Sequence, residues 1–441
     1  MIKQVSRFPK DLPGSGWFET SYKRKPKPAL KSNITADYVI VGAGVSGLAT
    51  AHRLAELNPK ASIVLLESLV IGFGACGRNS GFMIDLPHNL SSDSYSSGYD
   101  TDLAEIKFNR YAIAFATKKA KQFKMDKVAF SIDGKYHAAA GSDGENDLKT
   151  YTSGLDAIGE KYDVLDATDM KKHLGIDYYT MGIKTPHCPI LQPAKYHMIM
   201  ADNLPKNVKL FENTSVVAFE DGKNPMVKTE NGSVSAGKII LTTNGHLESF
   251  GYKKNRLMNI VLTGSMTRQL TDKELKTLGG VEAWSLTPAD PLGSSMRKTR
   301  DGRILVRNQA IYSPNLDVKQ NQIDKHLRLH RQAFDLRFPM FKGMELEYTW
   351  GGNLCLSRNH VSVFGEVSEN VYTASVQNGL GLAKGTAQGI TMAEYLSGHK
   401  NEFIDGLLNQ DQPSKLFPEP FMSIGAKTVL AYKTWKAGKD L

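Results

Sequence analysis

One segment, residues 37–68, constrains the fold of this 441-residue chain more than any other. A continuous apolar run, Tyr38 to Val41, is typical of a central parallel strand that is buried on both faces. Glycines follow at G-x-G-x-x-G spacing, at Gly42, Gly44 and Gly47. Apolar residues then repeat at helical intervals until Asn58-Pro59, and Ile63 to Leu66 predicts a second buried strand. This order of strand, glycine turn, helix and strand predicts a dinucleotide-binding unit.

Each residue of the motif has a separate role in such a unit. Gly42 permits the tight turn, Gly44 lets the backbone approach a pyrophosphate, and Gly47 allows the helix to pack close to the strand. The free N–H groups of the helix N-terminus, at Val45 and Ser46, favour a bound phosphate. Glu67 ends the second strand, where its carboxylate would bind ribose hydroxyls and repel a 2′-phosphate. The pattern therefore argues against NADP.

A second glycine-rich loop, GFGACGRNSGF at residues 72–82, follows shortly after Glu67. A typical NAD dehydrogenase does not need such a loop, whereas a flavin ring must lie against backbone. Arg78 and Asn79 would supply donors for phosphate, ribitol or the flavin edge. The loop therefore favours FAD, with further contacts expected from Gly74, Ala75, Cys76, Ser80 and Gly81.

This loop resembles the G-x-G-A-S-G-R-N-x-G segment of the D-amino-acid-oxidase-like (DAO) flavoproteins. That family contains glycine oxidase, sarcosine oxidase and γ-glutamylputrescine oxidoreductase, and the last of these resembles the chain most. The resemblance extends over nearly the whole chain, through the segments at 238–246, 348–365 and 371–398. The chain departs from the family at Cys76, where serine is usual, and at Val376, Asn378 and Leu380, where the family has Gly, Ser and His. These departures indicate a substrate that differs from the well-known ones.

The resemblance implies an α/β fold of the glutathione-reductase-2-like type, with a Rossmann-type FAD-binding domain and an interleaved antiparallel-sheet substrate domain. The expected bounds are an N-terminal extension at 1–35, an FAD-binding domain at 36–90, 191–250 and 346–441, and a substrate domain at 91–190 and 251–345. Within the substrate domain, hairpins are predicted over 128–140, turning at Asp133-Gly134, and over 294–308, turning at Asp301-Gly302. A helix is expected from about Asp102, with Glu105 in a capping box.

The resemblance also implies how the flavin is bound. A helix that begins near Gly381 would aim its N-terminus at the flavin pyrimidine ring and stabilise the negative charge of the reduced form. Further cofactor contacts are expected from Val217, Thr243, Asn244, Gly245, Asn378, Gly379, Leu380, Leu382, Ala383 and Lys384. In monomeric sarcosine oxidase a cysteine carries the flavin, at a position that corresponds to Gly352 here. Cys355 lies an odd number of residues further along the strand and points to the opposite face, so non-covalent FAD is favoured.

Three residues are candidates for substrate contact. Asp85 would pair with a substrate ammonium and His88 would tune its protonation, although both also suit a surface turn before Pro87. Arg297 would hold a substrate carboxylate or other acid with two hydrogen bonds. The sequence contains neither a Ser-His-Asp arrangement nor a metal-binding pattern, and no metal is expected.

The resemblance implies oxidation of an amine. Flavin would take a hydride from the carbon next to a neutral amine, and the imine would hydrolyse to a carbonyl compound and a free amine. The expected partners are a small amine or amino-acid substrate and either O2 or an electron carrier as acceptor. Two alternatives remain open: a macromolecular substrate, such as a modified tRNA base or a protein, and a role as the flavin-bearing subunit of a larger oxidoreductase.

Composition limits the partners and the compartment. The formal net charge is +10, but lysine and arginine are scattered among acids outside residues 23–27, so a nucleic-acid partner is not expected. The surplus of positive charge slightly favours a substrate with an anionic tail. No stretch approaches the ~18 consecutive apolar residues of a membrane helix, and no secretory signal is present. With three widely spaced cysteines, the expected location is the cytoplasm.

Overall fold

Two large β-sheets organise the part of the chain that the computed structural model describes, which is residues 2–10, 13–89, 92 and 95–441. The strands are β1 (Lys3–Gln4), β2 (Asn33–Val41), β3 (Ile63–Leu66), β4 (Phe130–Ser131), β5 (Lys135–Ala139), β6 (Asp163–Asp166), β7 (Met181–Thr185), β8 (Ile190–Leu191), β9 (Val208–Phe211), β10 (Val216–Glu220), β11 (Met226–Thr229), β12 (Ser233–Leu241), β13 (Leu257–Met266), β14 (Trp284–Pro288), β15 (Ser295–Lys298), β16 (Ile304–Tyr312), β17 (Tyr348–Ser357), β18 (Val363–Ser368) and β19 (Val371–Ser375). The α-helices are α1 (Gly16–Glu19), α2 (Val45–Leu57), α3 (Tyr99–Gln122), α4 (Ser142–Ala157), α5 (Ala167–Leu174), α6 (Pro193–Asp202), α7 (Asp272–Leu278), α8 (Gln320–Arg337), α9 (Gly381–Leu396), α10 (Glu402–Leu408) and α11 (Phe421–Lys436). The predicted domain boundary at residues 90–91 lies outside the described residues.

The first sheet contains the predicted nucleotide-binding unit. Its parallel centre runs β9, β3, β2, β12 and β19, and both predicted strands end where the sequence placed them, at Val41 and Leu66. Adjacent residues of β2 lie on opposite faces of the sheet and belong to different hydrophobic clusters. Ile40 belongs to the cluster that contains residues of α2 and α9, and Val39 belongs to the cluster that contains Phe219 of β10. Both faces of the parallel strands are therefore covered, which explains why their sequences are continuously apolar.

The N-terminal extension belongs to this first sheet and its core. β1 pairs with β10 at the edge of the sheet, and the short helix α1 buries the indole of Trp17. Arg24, from the basic run at residues 23–27, is buried in an ion pair with Glu212 (2.6 Å). The extension therefore forms part of the folded core.

The second sheet follows the order β17, β13, β16, β15, β14, β5, β7 and β6, and its strands are antiparallel except for the parallel pair β14–β5. The predicted hairpin over 294–308 is confirmed, because β15 pairs with β16 around Gly302 (φ +75°). The predicted hairpin over 128–140 is wrong. β4 pairs with β8 in a small separate sheet, while β5 pairs with β7 and β14.

Two further expectations about elements need correction. β17 was expected in the FAD-binding domain, but it pairs along its whole length with β13 of the second sheet. α3 begins at Tyr99 rather than near Asp102, and its N-cap, Gly98, has no side chain to accept a hydrogen bond. Glu105 forms no capping box and instead pairs with Lys384 (2.9 Å). In the described part of the chain, no helix is both long and apolar enough to cross a membrane.

Candidate cofactor and substrate site

A large cleft lies where the carboxyl ends of β2, β3 and β12 meet the second sheet. Its cavity volume is about 370 Å³, and the cleft is open to solvent on one side. One wall is formed by the loops that follow the parallel strands, and the opposite wall by residues of β13, β15, β16 and β17. In open α/β sheets, ligands bind at this carboxyl edge of the strands.

The first glycine turn has the geometry that its sequence predicts. Gly42 has φ +98°, and a Cβ on Gly47 would lie 1.9 Å from the Gly42 carbonyl oxygen, so the helix approaches the strand too closely for a side chain. Gly44 precedes the first turn of α2, which has no side-chain cap. A Cβ there would meet only the Cβ of Cys76, at 4.0 Å. The N–H groups at the start of α2 thus face the cleft without a side chain in front of them.

Glu67 lies in the cleft wall and joins two backbone segments. One carboxylate oxygen accepts a hydrogen bond from the Ala43 N–H (2.9 Å), and the other accepts one from the Leu69 N–H (3.0 Å). Burial raises the pKa of Glu67, and these backbone donors oppose that rise. The carboxylate is therefore held next to the first glycine turn.

The second glycine loop is held mainly by its own polar groups. The Arg78 guanidinium donates to the carbonyl oxygens of Phe73, Gly351 and Pro13, and the Asn79 amide donates to that of Cys76. These hydrogen bonds give both side chains a structural role in the loop, and both residues also line the cleft. The backbone remains available, since a Cβ on Gly74 would meet nothing within 4 Å.

Two loops after adjacent parallel strands complete the cofactor side of the cleft. Asn244, after β12, accepts a hydrogen bond through its side-chain oxygen from the Val376 N–H (3.1 Å), after β19. The side chain of Asn378 points away from the cleft and bonds to Ser357 and to the backbone of residues 360–361. α9 begins at Gly381 without a side-chain cap, and a Cβ on this glycine would also enter open space.

The predicted cofactor residues fall into two groups. Those that line the cleft are Gly42, Gly44, Val45, Ser46, Glu67, Gly74, Ala75, Cys76, Arg78, Asn79, Ser80, Thr243, Asn244, Gly245, Gly379, Leu380, Gly381 and Leu382. Those that lie behind its wall are Gly47, Gly81, Val217, Asn378, Ala383 and Lys384. Strand alternation accounts for Val217, since its neighbour Val216 faces the cleft instead.

The residues present fit FAD. Three cleft glycines, Gly44, Gly74 and Gly381, have open space where a side chain would lie, and none has a positive φ that would require glycine. Two long helices, α2 and α9, begin at the cleft with uncapped N-termini. The buried hydroxyl of Thr243 has no hydrogen-bond partner in the described structure. A long anionic group that lies against backbone explains all three observations.

Covalent attachment of the flavin is disfavoured at all three positions considered. A Cβ on Gly352 would lie 3.0 Å from the Cβ of Arg78, so this position has no room for a cysteine side chain. Burial raises the pKa of Cys76 to about 12 and also raises that of Cys355. Both thiols are therefore protonated at neutral pH and are poor nucleophiles.

Sequence reasoning missed Arg307, which faces the cleft from the middle of the second sheet. Its cross-strand neighbours are Gly264 on β13 and Ser295 on β15, both small and both in the cleft wall. The guanidinium makes one long hydrogen bond, to the Ser80 hydroxyl (3.4 Å), and no described carboxylate pairs with it. Burial lowers the pKa of Arg307, which remains a cation at neutral pH.

The predicted substrate residues Arg297 and Asp85 lie behind the cleft wall. Arg297 donates to the carbonyl oxygens of Ser80 (2.6 Å) and Leu191 (2.8 Å), and its guanidinium lies 4.8 Å from the Trp17 ring. Asp85 is buried and pairs with Arg110 (3.1 Å). Neither side chain lines the cleft in this arrangement.

His88 does line the cleft. Its ring stacks on Tyr95 with centroids 4.7 Å apart. Burial, followed by the nearby charges of Lys135, Arg307 and Lys384, lowers the pKa of His88 well below its ordinary value. The imidazole is therefore neutral at physiological pH. Behind it, the buried Nζ of Lys135 donates to the hydroxyl of Thr287, another cleft residue (3.2 Å), and burial lowers the pKa of Lys135.

Comparison with known proteins agrees with this geometry. Gamma-glutamylputrescine oxidoreductase of Escherichia coli (strain K12) is 25% identical over 423 residues, which cover 92% of this chain and 94% of that protein. The crystal structure of glycine oxidase from Geobacillus kaustophilus shares the fold with a TM-score of 0.72 at 14% identity, covering 87% of this chain and 100% of the other. L-amino acid deaminase from Proteus myxofaciens does so with a TM-score of 0.67 at 15% identity, covering 87% and 94%.

The family model described as FAD dependent oxidoreductase (DAO) matches residues 37–395, from the first parallel strand to the end of α9. This range contains both glycine loops, the two uncapped helices and Arg307. The chain is an enzyme of the DAO family of FAD-dependent oxidoreductases.

Proposed function

We propose that this enzyme oxidises the C–N bond of a small amine or amino acid that carries an anionic group. FAD, when bound, would supply a hydride acceptor for the carbon next to the amine, and the resulting imine would hydrolyse to a carbonyl product and a free amine. The acceptor that reoxidises the cofactor is O2 or an electron carrier. The names of the similar proteins support the amine class, since an oxidoreductase of an amine, a glycine oxidase and an amino acid deaminase are among them.

Arg307 is the observation that carries the anionic part of the proposal. Arg307 is a half-buried cation at the cleft wall, and without a carboxylate partner in the described structure it favours a bound anion. Its two small cross-strand neighbours, Gly264 and Ser295, leave space for a planar anion in front of it. A carboxylate would accept two parallel hydrogen bonds there, and this geometry would also fix which carbon of the substrate faces the cofactor.

The other cleft residues favour a neutral amine. His88 is uncharged and accepts or donates a hydrogen bond without adding a positive charge. The cation Arg307 disfavours a second positive charge in the same space, so it lowers the pKa of a bound substrate ammonium. Loss of that proton leaves the nitrogen lone pair free, which hydride loss from the adjacent carbon requires. The chain thus prepares the substrate without a dedicated base.

The uncapped N-terminus of α9 provides positive electrostatic potential on the cofactor side of the cleft. Its first N–H groups and partial positive charge lie at the cleft, beside Leu380 and Gly381. They would stabilise negative charge that develops on a group bound there. Lys384 is paired with Glu105, so the helix rather than this lysine supplies the positive charge at this end of the cleft.

We propose the cytoplasm as the compartment.

Anaerobic flavin reduction tests the proposed class. Purified holoenzyme is mixed with matched pairs of amines that differ only in one carboxylate, phosphonate or sulfonate. We expect the visible flavin bands to bleach with an anionic member and to persist with its neutral partner. Bleaching by neutral amines alone would contradict the role of Arg307. Bleaching by no amine, with intact flavin bands, would contradict the amine class.

A further inference from the structure

The C-terminal helix α11 presents an apolar stripe to solvent. Its outward residues, Phe421, Ile424, Tyr432 and Trp435, are each more than half exposed, and Trp435 is 77% exposed. They recur at helical intervals on one face, with Thr428 and Ala431 between them. Globular proteins rarely expose so many large apolar side chains together, and such a patch marks an interaction surface.

Contacts with β16 and the buried segment just after the helix hold α11 on the protein, although none of its own residues is buried. Its inner side packs on β16, the strand that carries Arg307. Just beyond the helix, the buried carboxylate of Asp440 accepts hydrogen bonds from the backbone N–H groups of Ala140 (2.8 Å) and Asp290 (3.1 Å). Arg337 donates to the Asp440 carbonyl oxygen (2.9 Å). The outward direction of the apolar residues is therefore set by the fold.

The charge of the helix selects the partner. Residues 421–436 contain three lysines, Lys427, Lys433 and Lys436, and no acidic residue. Just before the helix, the exposed ring of Phe417 lies 4.8 Å from the Arg358 guanidinium. Aromatic and aliphatic residues on one face with lysines beside them are typical of a helix that lies in the headgroup region of an anionic membrane.

A second copy of the chain is a poorer partner for this face. In a two-fold symmetric contact the same surface patch lies on both subunits. Such a contact would bring the lysines of one helix close to the same lysines of the other, and like charges across an interface are unfavourable. An anionic bilayer satisfies both the apolar stripe and the lysines.

We propose that α11 binds the surface of an anionic lipid bilayer and holds the enzyme there as a peripheral protein. Phe421, Ile424 and Trp435 would enter the headgroup boundary, and Lys427 would meet the lipid phosphates. The proposal is independent of which substrate the cleft takes.

Vesicle sedimentation with the full-length holoenzyme tests the proposal. Vesicles of phosphatidylcholine alone are compared with vesicles that also contain phosphatidylglycerol. We expect the enzyme to sediment with the anionic vesicles, and this binding to weaken as salt is added. Ile424→Ser and Trp435→Ser should each weaken it by about tenfold or more. Lys427→Gln should weaken it by about fivefold.

The matched control is Leu336→Ser, which removes an equally exposed apolar side chain from α8. It should leave vesicle binding unchanged, and all variants should keep their flavin. Trp435 provides a second readout, since the other three tryptophans are buried. Its emission should shift to shorter wavelength with anionic vesicles only.

Three results would overturn the proposal. The first is a wild-type enzyme that remains in the supernatant with both kinds of vesicle. The second is a Leu336 variant that loses as much binding as the α11 variants. The third is a wild-type enzyme that does not bind vesicles and is a dimer in solution, which Trp435→Ser converts to a monomer. The last result would assign the stripe to a contact between copies of the chain.

Discussion

Arg297 and Arg307 lie on the two strands of one hairpin, and the difference between their surroundings determines their roles. Arg297 lies under the second glycine loop, where Trp17 and two carbonyl oxygens use its guanidinium. Arg307 lies in the open part of the cleft between small neighbours. Arg307 is therefore the proposed contact for the substrate, and a few glycines leave room for the cofactor.

Replacement of Arg307 by methionine should remove the anion site and keep the strand packed. Because a hydrogen bond to a charged group contributes about 1.5–3 kcal/mol, we expect the dissociation constant of the anionic amine to rise about 10- to 100-fold. The affinity for its neutral counterpart should not change. Anaerobic titration of the flavin absorbance measures both. Arg268→Met, which removes a surface arginine paired with Glu274, is the control and should bind like the wild type.

Replacement of Gly44 by valine should exclude the cofactor without unfolding the protein. The new Cβ would meet only Cys76 in the protein, but the side chain would occupy the space where a pyrophosphate approaches the backbone. Forcing a group into such a space costs about 1–3 kcal/mol, so FAD affinity should fall about 10- to 100-fold. Gly154→Val, on the outside of α4, is the matched control and should retain FAD. Equal FAD content in the two variants would argue that the pyrophosphate lies elsewhere.

At the scale of elements, the second glycine loop is the best supported feature of the site. The indole of Trp17 donates to the Asn79 carbonyl (2.9 Å), and that of Trp350 donates to the Arg78 carbonyl (3.0 Å). The Ser15 hydroxyl donates to the Gly77 carbonyl (2.7 Å). The N-terminal extension and β17, which are distant in sequence, thus fix one loop from two sides.

Glu212 extends this support to the beginning of the loop. It is fully buried and accepts hydrogen bonds from Arg24 (2.6 Å), the Lys27 N–H (2.7 Å) and the Ile71 N–H (2.7 Å). Arg24→Ala would leave this carboxylate without its charged partner, so we expect a loss of about 3–5 kcal/mol in the free energy of unfolding. Chemical denaturation measures the loss. Lys23→Ala, which removes a neighbouring exposed lysine, should cost less than about 0.5 kcal/mol.

The sequence predicts local elements well and sheet partners less well. The first βαβ unit, the turn before α9 and the β15–β16 hairpin depend on short-range patterns that are visible in one segment. The segment 128–140 contains the same kind of turn, at Asp133-Gly134, but its two strands pair with other strands whose residues lie at least 42 positions away. The pattern within a single segment does not indicate which distant strand it pairs with.

Arg307 could have been recognised only with the register of the sheet. From the hairpin alone, Arg297 and Arg307 are equivalent, since both alternate with apolar residues and both face the same side as Leu305. The register with β13 places Gly264 beside Arg307, while the loop at residues 80–81 covers Arg297. The roles of these two arginines depend on tertiary contacts that the hairpin sequence does not contain.

At the scale of the whole molecule, buried neutral histidines make stability depend on pH. Burial lowers the pKa of His52, His197 and His246 to about 4, and that of His330 to about 3, from an ordinary value of 6.5. Between about pH 6.5 and pH 4 the unfolded chain therefore binds more protons than the native protein does. Stability is complete above this range and is lost as the pH falls through it.

For each of these histidines, the free energy of unfolding should fall by about 1.4 kcal/mol per pH unit. This slope applies over the part of the range where the histidine is protonated only in the unfolded chain. Urea denaturation at pH 7, 6 and 5 measures the free energy of unfolding directly. We expect a steep decrease from pH 6 to pH 5. A free energy that stays constant or rises on acidification would show that these imidazoles accept protons in the folded protein.

The central claim is that the cleft between the two sheets holds FAD without a covalent bond. The most direct measurement is the visible absorbance spectrum of the purified protein, recorded before and after acid precipitation, with the released flavin quantified. The account predicts flavin bands in the native protein, about one FAD per chain, and complete recovery of FAD in the supernatant. A colourless protein that does not take up added FAD would contradict it, and flavin retained in the precipitate would contradict the non-covalent form.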